Sequence, residues 1–241
     1  PVRRLADDFL REVRGFLGER LHGLYLFGAV AFPESAGKIA DLDFHAIVRE
    51  PLDETDRSAV DDLHRSLYER HRPIELDGYY ILLDDARAKA PAPSQLRARG
   101  GWRRDWSWSL HREHLRAGRC VVLHGPKPAD YYPPATWPEL ERALLREAWC
   151  ARRWLPSHPA YAVLQFCRLL YSFTTRDVVV SKVSAARWAR QTLAEWSRLI
   201  ERAQAAYPTA GLPVGEAKPF AAYTRQRIAE LRAAQTSGRL L

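Results

Sequence analysis

The spacing of apolar residues changes once along this 241-residue chain, near position 137. Before that point strand-like and helix-like patterns alternate, and after it apolar residues recur at the three- and four-residue steps of helices. Leu5, Phe9, Val13, Phe16 and Leu17 predict an amphipathic helix over 3–20. Strands are predicted over 23–28, 41–49 and 74–83, with a helix over 53–71 that Asp53 caps, and a short late strand over 119–123. The segment 91–101, with Pro91-Ala92-Pro93-Ser94 and Gly100-Gly101, predicts a loop leading to a tryptophan-rich helix. Lys127 to Pro134, with three prolines, reads as an inter-domain connection. Helices over 138–154, 159–174, 181–206 with a break, and 216–235 then predict a bundle. The expected fold class is α+β: a mixed β-sheet domain over 1–136 with helices on one side, followed by an α-helical bundle domain over 137–241.

Composition narrows what such a chain does. With 46% apolar residues and eight tryptophans it buries a core of ordinary size. Its apolar runs fall short of the ~18 residues a membrane span needs, and its first segment is charged, so a soluble cytoplasmic monomer is expected. Cys120, Cys150 and Cys167 are too far apart for zinc-ligand spacing and read as buried reduced thiols. His111 and His114, with no third ligand at matching spacing, read as surface residues, and Trp102, Trp106 and Trp108 as packing aromatics. The net charge of +8 is unevenly placed. Residues 1–138 carry 21 basic and 21 acidic side chains, whereas 139–241 carry 16 basic and 8 acidic. A basic second half favours polyphosphate or nucleic acid and disfavours a polycation.

The chemistry concentrates in the first half. Leu24-Tyr25-Leu26-Phe27 ends at Gly28, where a backbone can turn closely past a phosphate, and Asp41-Leu42-Asp43 follows at the start of the next strand. Two carboxylates at i and i+2 of a strand point to one face, an arrangement suited to holding Mg2+ for phosphoryl or nucleotidyl transfer. Glu75 and Asp77 repeat that spacing on the third predicted strand. Either can approach the first pair.

Phe27-Gly28-Ala29 with Asp41-Leu42-Asp43, the helix opening Leu52 to Arg57, Val121 to Pro126, Leu164 to Ser172 and Ser181 to Ala189 occur in an order that resembles the aminoglycoside 3''/9-adenylyltransferases, the streptomycin and spectinomycin resistance enzymes. The resemblance runs over nearly the whole chain. It implies a nucleotidyltransferase-type sheet domain with a C-terminal helical bundle, ATP and Mg2+ as cofactors, and AMP transfer to a hydroxyl of a small molecule such as an aminoglycoside. By the same resemblance Asp41 and Asp43 are the metal ligands, and the residue before Gly78 is the catalytic base. Here that residue is Asp77, one methylene shorter than the family's glutamate, so Glu75 stays beside it as a candidate. Lys182 matches the lysine of the family's Ser-Lys segment, and Arg202 and Tyr223 match nucleotide-side positions more loosely. Lys182 on one domain and the carboxylates on the other imply an active site in a cleft between the domains.

The chain departs from the pattern in four further places. Ala29 and Ala40 stand where the family has serines that help hold the nucleotide phosphates, and each such hydrogen bond to a charged group is worth about 1.5 to 3 kcal/mol. Ser35 and Lys38, in the intervening loop, are the candidate replacements. On the acceptor side, Leu170 replaces a tryptophan beside the Tyr-Ser pair, and the acidic positions fall near Thr175 and Asp177, of which Asp177 alone is acidic. Two further readings follow: nucleotidyl transfer to RNA or another anionic acceptor, from the basic second half, and a non-catalytic binding protein with a degenerate site, from Ala29 and Ala40.

Overall fold

Leu5, Phe9, Val13 and Leu17 lie on one stripe of α1 (Val2–Leu17) and are all buried, and the helix stops at Gly18, whose φ of 52° an L side chain rarely adopts. In this computed structural model, which describes residues 1–36, 39–89, 95–97, 101–208 and 211–236, the stripe packs on one face of a six-stranded sheet. The strands are β1 (Leu21–Phe27), β2 (Asp41–Val48), β3 (Glu75–Leu82), β4 (Gln95–Arg97), β5 (Gly101–Arg103) and β6 (Val121–His124), in the order β5-β4-β3-β2-β1-β6. β2 and β3 are parallel and the other neighbours antiparallel. The parallel pair requires a crossover, which α2 (Glu54–His71) supplies.

α2 begins where the sequence places its cap. The Asp53 carboxylate accepts from the Asp56 amide at 2.9 Å and the Asp56 carboxylate accepts from the Asp53 amide at 3.0 Å, closing a capping box. Arg20 donates to both oxygens of the Asp56 carboxylate, at 3.0 and 2.5 Å, tying the helix start to the turn before β1.

Helices cover both faces of the sheet, where the sequence suggested one. α1 and α2 lie over Leu24, Leu26, Leu42, Phe44, Ala46 and Val48. On the opposite face α3 (Leu83–Arg87), α4 (Trp108–Arg116) and Tyr132 pack over Tyr25, Phe27, Ile47 and Ile81. Strands apolar on both faces are the mark of a buried sheet centre. β4 and β5 fall in and beside the segment read as a loop. The prolines Pro91 and Pro93 and the glycine Gly100 lie outside the described residues; the pairing of β4 with Tyr79 and Tyr80 satisfies the open edge of β3, a non-local demand.

Backbone contacts divide the chain into units Pro1–Ala135 and Thr136–Leu241. The second contains α5 (Trp137–Trp154), α6 (Pro159–Thr175), α7 (Lys182–Thr192), α8 (Ser197–Ala206) and α9 (Val214–Thr236). α6 is apolar on most sides and α5, α7, α8 and α9 pack around it, as a helix buried all round requires. The break expected in 181–206 lies at Leu193, followed by a 3-10 turn over 194–196. Among the described residues no helix is long and apolar enough to cross a membrane. All three cysteines are free thiols; Cys167 is buried, but Cys120 and Cys150 are half-buried.

Candidate active site

The parallel register sets Asp41 beside Glu75 and Asp43 beside Asp77. Registered neighbours on adjacent strands share a face, so all four carboxylates stand on one side of the sheet at two successive levels. They occupy the starts of β2 and β3, whereas the apolar cluster on that face takes up Ile47 and Ile81 further along. Asp41 and Glu75 are exposed, and Asp43 and Asp77 half-buried. Gly28 follows β1 with φ 71°, and a Cβ there would lie 1.9 Å from Oδ2 of Asp43. Glycine is therefore required twice over, by the dihedral and by the closeness of the backbone to a carboxylate. Carboxylate oxygens suit a hard divalent cation such as Mg2+, although among the described residues no three of these four bring ligand atoms within 4.8 Å of one another.

The turn after Gly28 is compact. A 3-10 turn over Gly28–Ala31 holds Ala29, and a second over Pro33–Ser35 ends in Ser35, which is buried, with its amide donating to the Phe32 carbonyl at 2.9 Å. Ala40 is exposed just before β2. Lys38 lies outside the described residues.

In the helical unit, Lys182 is the first residue of α7, after the N-cap Ser181, whose hydroxyl accepts from the Ser184 amide at 2.9 Å. Its ammonium lies 4.7 Å from the Tyr161 ring centre and 5.3 Å from that of Tyr207. Arg202 pairs with Glu216 through its two terminal guanidinium nitrogens. Tyr223 stacks near Phe220 and Trp196. Asp177 is exposed and accepts from the Val179 amide at 2.8 Å and the Tyr171 hydroxyl at 3.1 Å. Leu170 is 1% exposed, inside the bundle core.

Comparison with known proteins matches residues 134–231 to the family model of the aminoglycoside adenylyltransferase C-terminal domain. In that stretch the helical half is similar to this family's C-terminal domain. The fold of the chain is similar to the crystal structure of spectinomycin adenyltransferase AAD(9) from Enterococcus faecialis with ATP and spectinomycin, at 16% identity and a TM-score of 0.77. That similarity covers 94% of this chain and 99% of the other, so it takes in both the sheet unit and the helical unit. Among curated proteins no sequence matches the chain.

Beside the carboxylates stands a feature that the spacing of residues does not reveal. On the sheet face of Asp43, the next residue of β2 is His45, completely buried. Its Nδ1 lies 2.8 Å from the Tyr132 hydroxyl, and its ring is stacked on Trp108 with centroids 5.7 Å apart. Burial, with the His111 charge as a smaller contribution, pushes its pKa down to about 3, so the imidazole is neutral at pH 7. His111 bonds through Nδ1 to Oδ2 of Asp105 at 2.8 Å, while Oδ1 of Asp105 accepts from the Ser107 amide at 2.8 Å. Burial raises the Asp105 pKa, but the charge and hydrogen bond of His111, with His45 and the Ser107 amide, outweigh it and lower it overall. The surface reading of the histidines is corrected here: His114 is 5% exposed against Phe32, and His111 is half-buried in this cluster. Of the three tryptophans, Trp108 is buried as packing requires, Trp106 is exposed beneath Arg104, and the side chain of Trp102 lies outside the description.

Proposed function

We propose that this chain is a Mg2+-dependent nucleotidyltransferase that moves AMP from ATP to a hydroxyl of a small molecule, with aminoglycosides as the first acceptor class to test. The supporting observation is the register of β2 and β3, which lines up Asp41, Asp43, Glu75 and Asp77 beside the backbone of Gly28. The spectinomycin adenyltransferase of the same fold was crystallised with ATP and spectinomycin, which adds weight to the nucleotide and the acceptor class.

Asp41 and Asp43 would hold Mg2+, which when bound offsets phosphate charge. Asp77 is assigned as the base because it is the half-buried member of its pair and stands directly beside Asp43, whereas Glu75 is exposed. It takes the proton of the acceptor hydroxyl as the oxygen bonds to the α-phosphorus. The bond from that phosphorus to its bridging oxygen breaks, and pyrophosphate leaves. The Gly28 turn brings backbone against this site with no side chain in the way.

A second reading, transfer to RNA or another anionic acceptor, is favoured by the arginines of the helical half. Trp149 is 46% exposed, with the Arg146 guanidinium 4.3 Å and that of Arg153 5.7 Å from its ring centre, a surface on which bases stack. Incubating the protein with Mg2+ and ATP in the presence of spectinomycin, streptomycin or tRNA separates the readings. Mass spectrometry is expected to show an AMP adduct on one aminoglycoside and release of pyrophosphate, both lost in Asp43→Asn. An adduct on RNA alone would select the second reading. No adduct together with no ATP binding at about millimolar nucleotide would leave a non-catalytic protein and overturn both.

A further inference from the structure

We propose that His45, Asp105 and His111 form a binding site for a divalent transition-metal ion of the zinc class, separate from the carboxylate site. One ligand atom from each residue lies within 4.8 Å of the others, close enough for a single ion to draw them together. The donor set is two imidazoles and one carboxylate. Imidazole nitrogen favours zinc and its neighbours over Mg2+, which the oxygen-only group at Asp41, Asp43, Glu75 and Asp77 suits instead.

The second observation concerns His45 itself. It is wholly buried, and among the described residues its Nε2 has no hydrogen-bond partner, although its Nδ1 is held by Tyr132. A buried polar atom left unpaired costs about 1 to 3 kcal/mol, and a metal–nitrogen bond is one way to satisfy it. If Nδ1 carries the proton and donates to the Tyr132 oxygen, Nε2 presents a lone pair, the form in which histidine ligates. Tyr132 is then the outer partner that orients the ring. Asp105 is similarly oriented, because the Ser107 amide fixes Oδ1.

The surroundings fit an ion site of limited access. Phe27 and Trp108 wall His45, with ring centroids 4.9 and 5.7 Å away, and Phe27 also lies 4.9 Å from His111. The His111 side chain is 31% exposed, so entry runs past it. Three protein ligands leave a position for water or a substrate atom, as in catalytic zinc sites. The inference does not depend on the transferase reading.

The test uses the full chain, stripped with a chelator and titrated with Co2+ while visible absorption is followed, then with Zn2+ in competition. The expected result is saturation at about one equivalent, with the d–d bands of a nitrogen-ligated low-coordinate ion, displaced by Zn2+. His111→Gln, at a partly exposed position where folding is easily checked by circular dichroism, should weaken Zn2+ by at least about 100-fold, and Tyr132→Phe by about 10- to 100-fold. The double variant Asp41→Asn/Asp43→Asn should leave this binding in place. Absence of the cobalt spectrum, unchanged affinity in folded His111→Gln, or loss of binding in the double carboxylate variant would each overturn the proposal, the first two leaving Asp105 and His111 as a simple ion pair.

Discussion

Gly28 and Asp43 stand so close that a single added carbon on the glycine would fall 1.9 Å from the carboxylate oxygen Oδ2. Gly28→Ala therefore meets two penalties. The positive φ costs about 1 to 2 kcal/mol for an L residue, and the clash displaces Asp43 from its place beside Asp77. Denaturant unfolding should show a loss of that size, and calorimetry with Mg2+ and ATP should show weakened nucleotide binding. Wild-type affinity in the variant would mean that Asp43 does not serve the nucleotide.

The two members of the β3 pair differ in burial, and this separates their roles. Asp77→Asn should lower the adenylylation rate by about 10^2- to 10^4-fold with little change in ATP affinity, the signature of a lost base. Glu75→Gln should have a much smaller effect. The reverse order in single-turnover assays would transfer the role to Glu75.

Ala29 lies in the turn that opens at Gly28, where adenylyltransferases resembling this chain have serine. Ala29→Ser should restore a hydrogen bond to phosphate worth about 1.5 to 3 kcal/mol, tightening ATP by roughly 10- to 150-fold. Calorimetry reads this directly. No gain would indicate that buried Ser35, or another group of this turn, already fills the role.

The hydrogen bonds from Arg20, more than the backbone amide of Asp53, hold the Asp56 pKa below its ordinary value of 3.8. A carboxylate depressed on folding contributes stability that is complete above the unfolded pKa and lost as pH falls through the folded one. For Asp56 that window opens near pH 4 and extends downward. Asp56→Asn should destabilise by about 1 to 3 kcal/mol at pH 7, and flatten the decline in stability below pH 4 relative to the parent. Denaturant midpoints across pH 2.5 to 7 check both.

Much of the fold was legible because it rests on local signals. The stripe of α1, the cap at Asp53 and the switch to helical spacing near 137 each involve residues within a few positions of one another, where side-chain period and hydrogen-bonding chemistry act directly. The i, i+2 spacing of Asp41 with Asp43 and of Glu75 with Asp77 is likewise local, and it determines that each pair shares a face. Strands β4 and β5 were not legible, since what makes them strands is non-local: β4 pairs with the open edge of β3, and β5 with β4.

By itself, then, the sequence determined which side chains carry charge, which stripes must be buried and where the capped helix α2 begins. Tertiary structure alone decided that β2 and β3 align in parallel with Asp43 beside Asp77, and that His45, sixty residues before Asp105, comes within ligand distance of it and of His111. The reason is physical: register and long-range proximity follow from burying two sheet faces at once, a constraint shared by the whole unit and carried by no single segment.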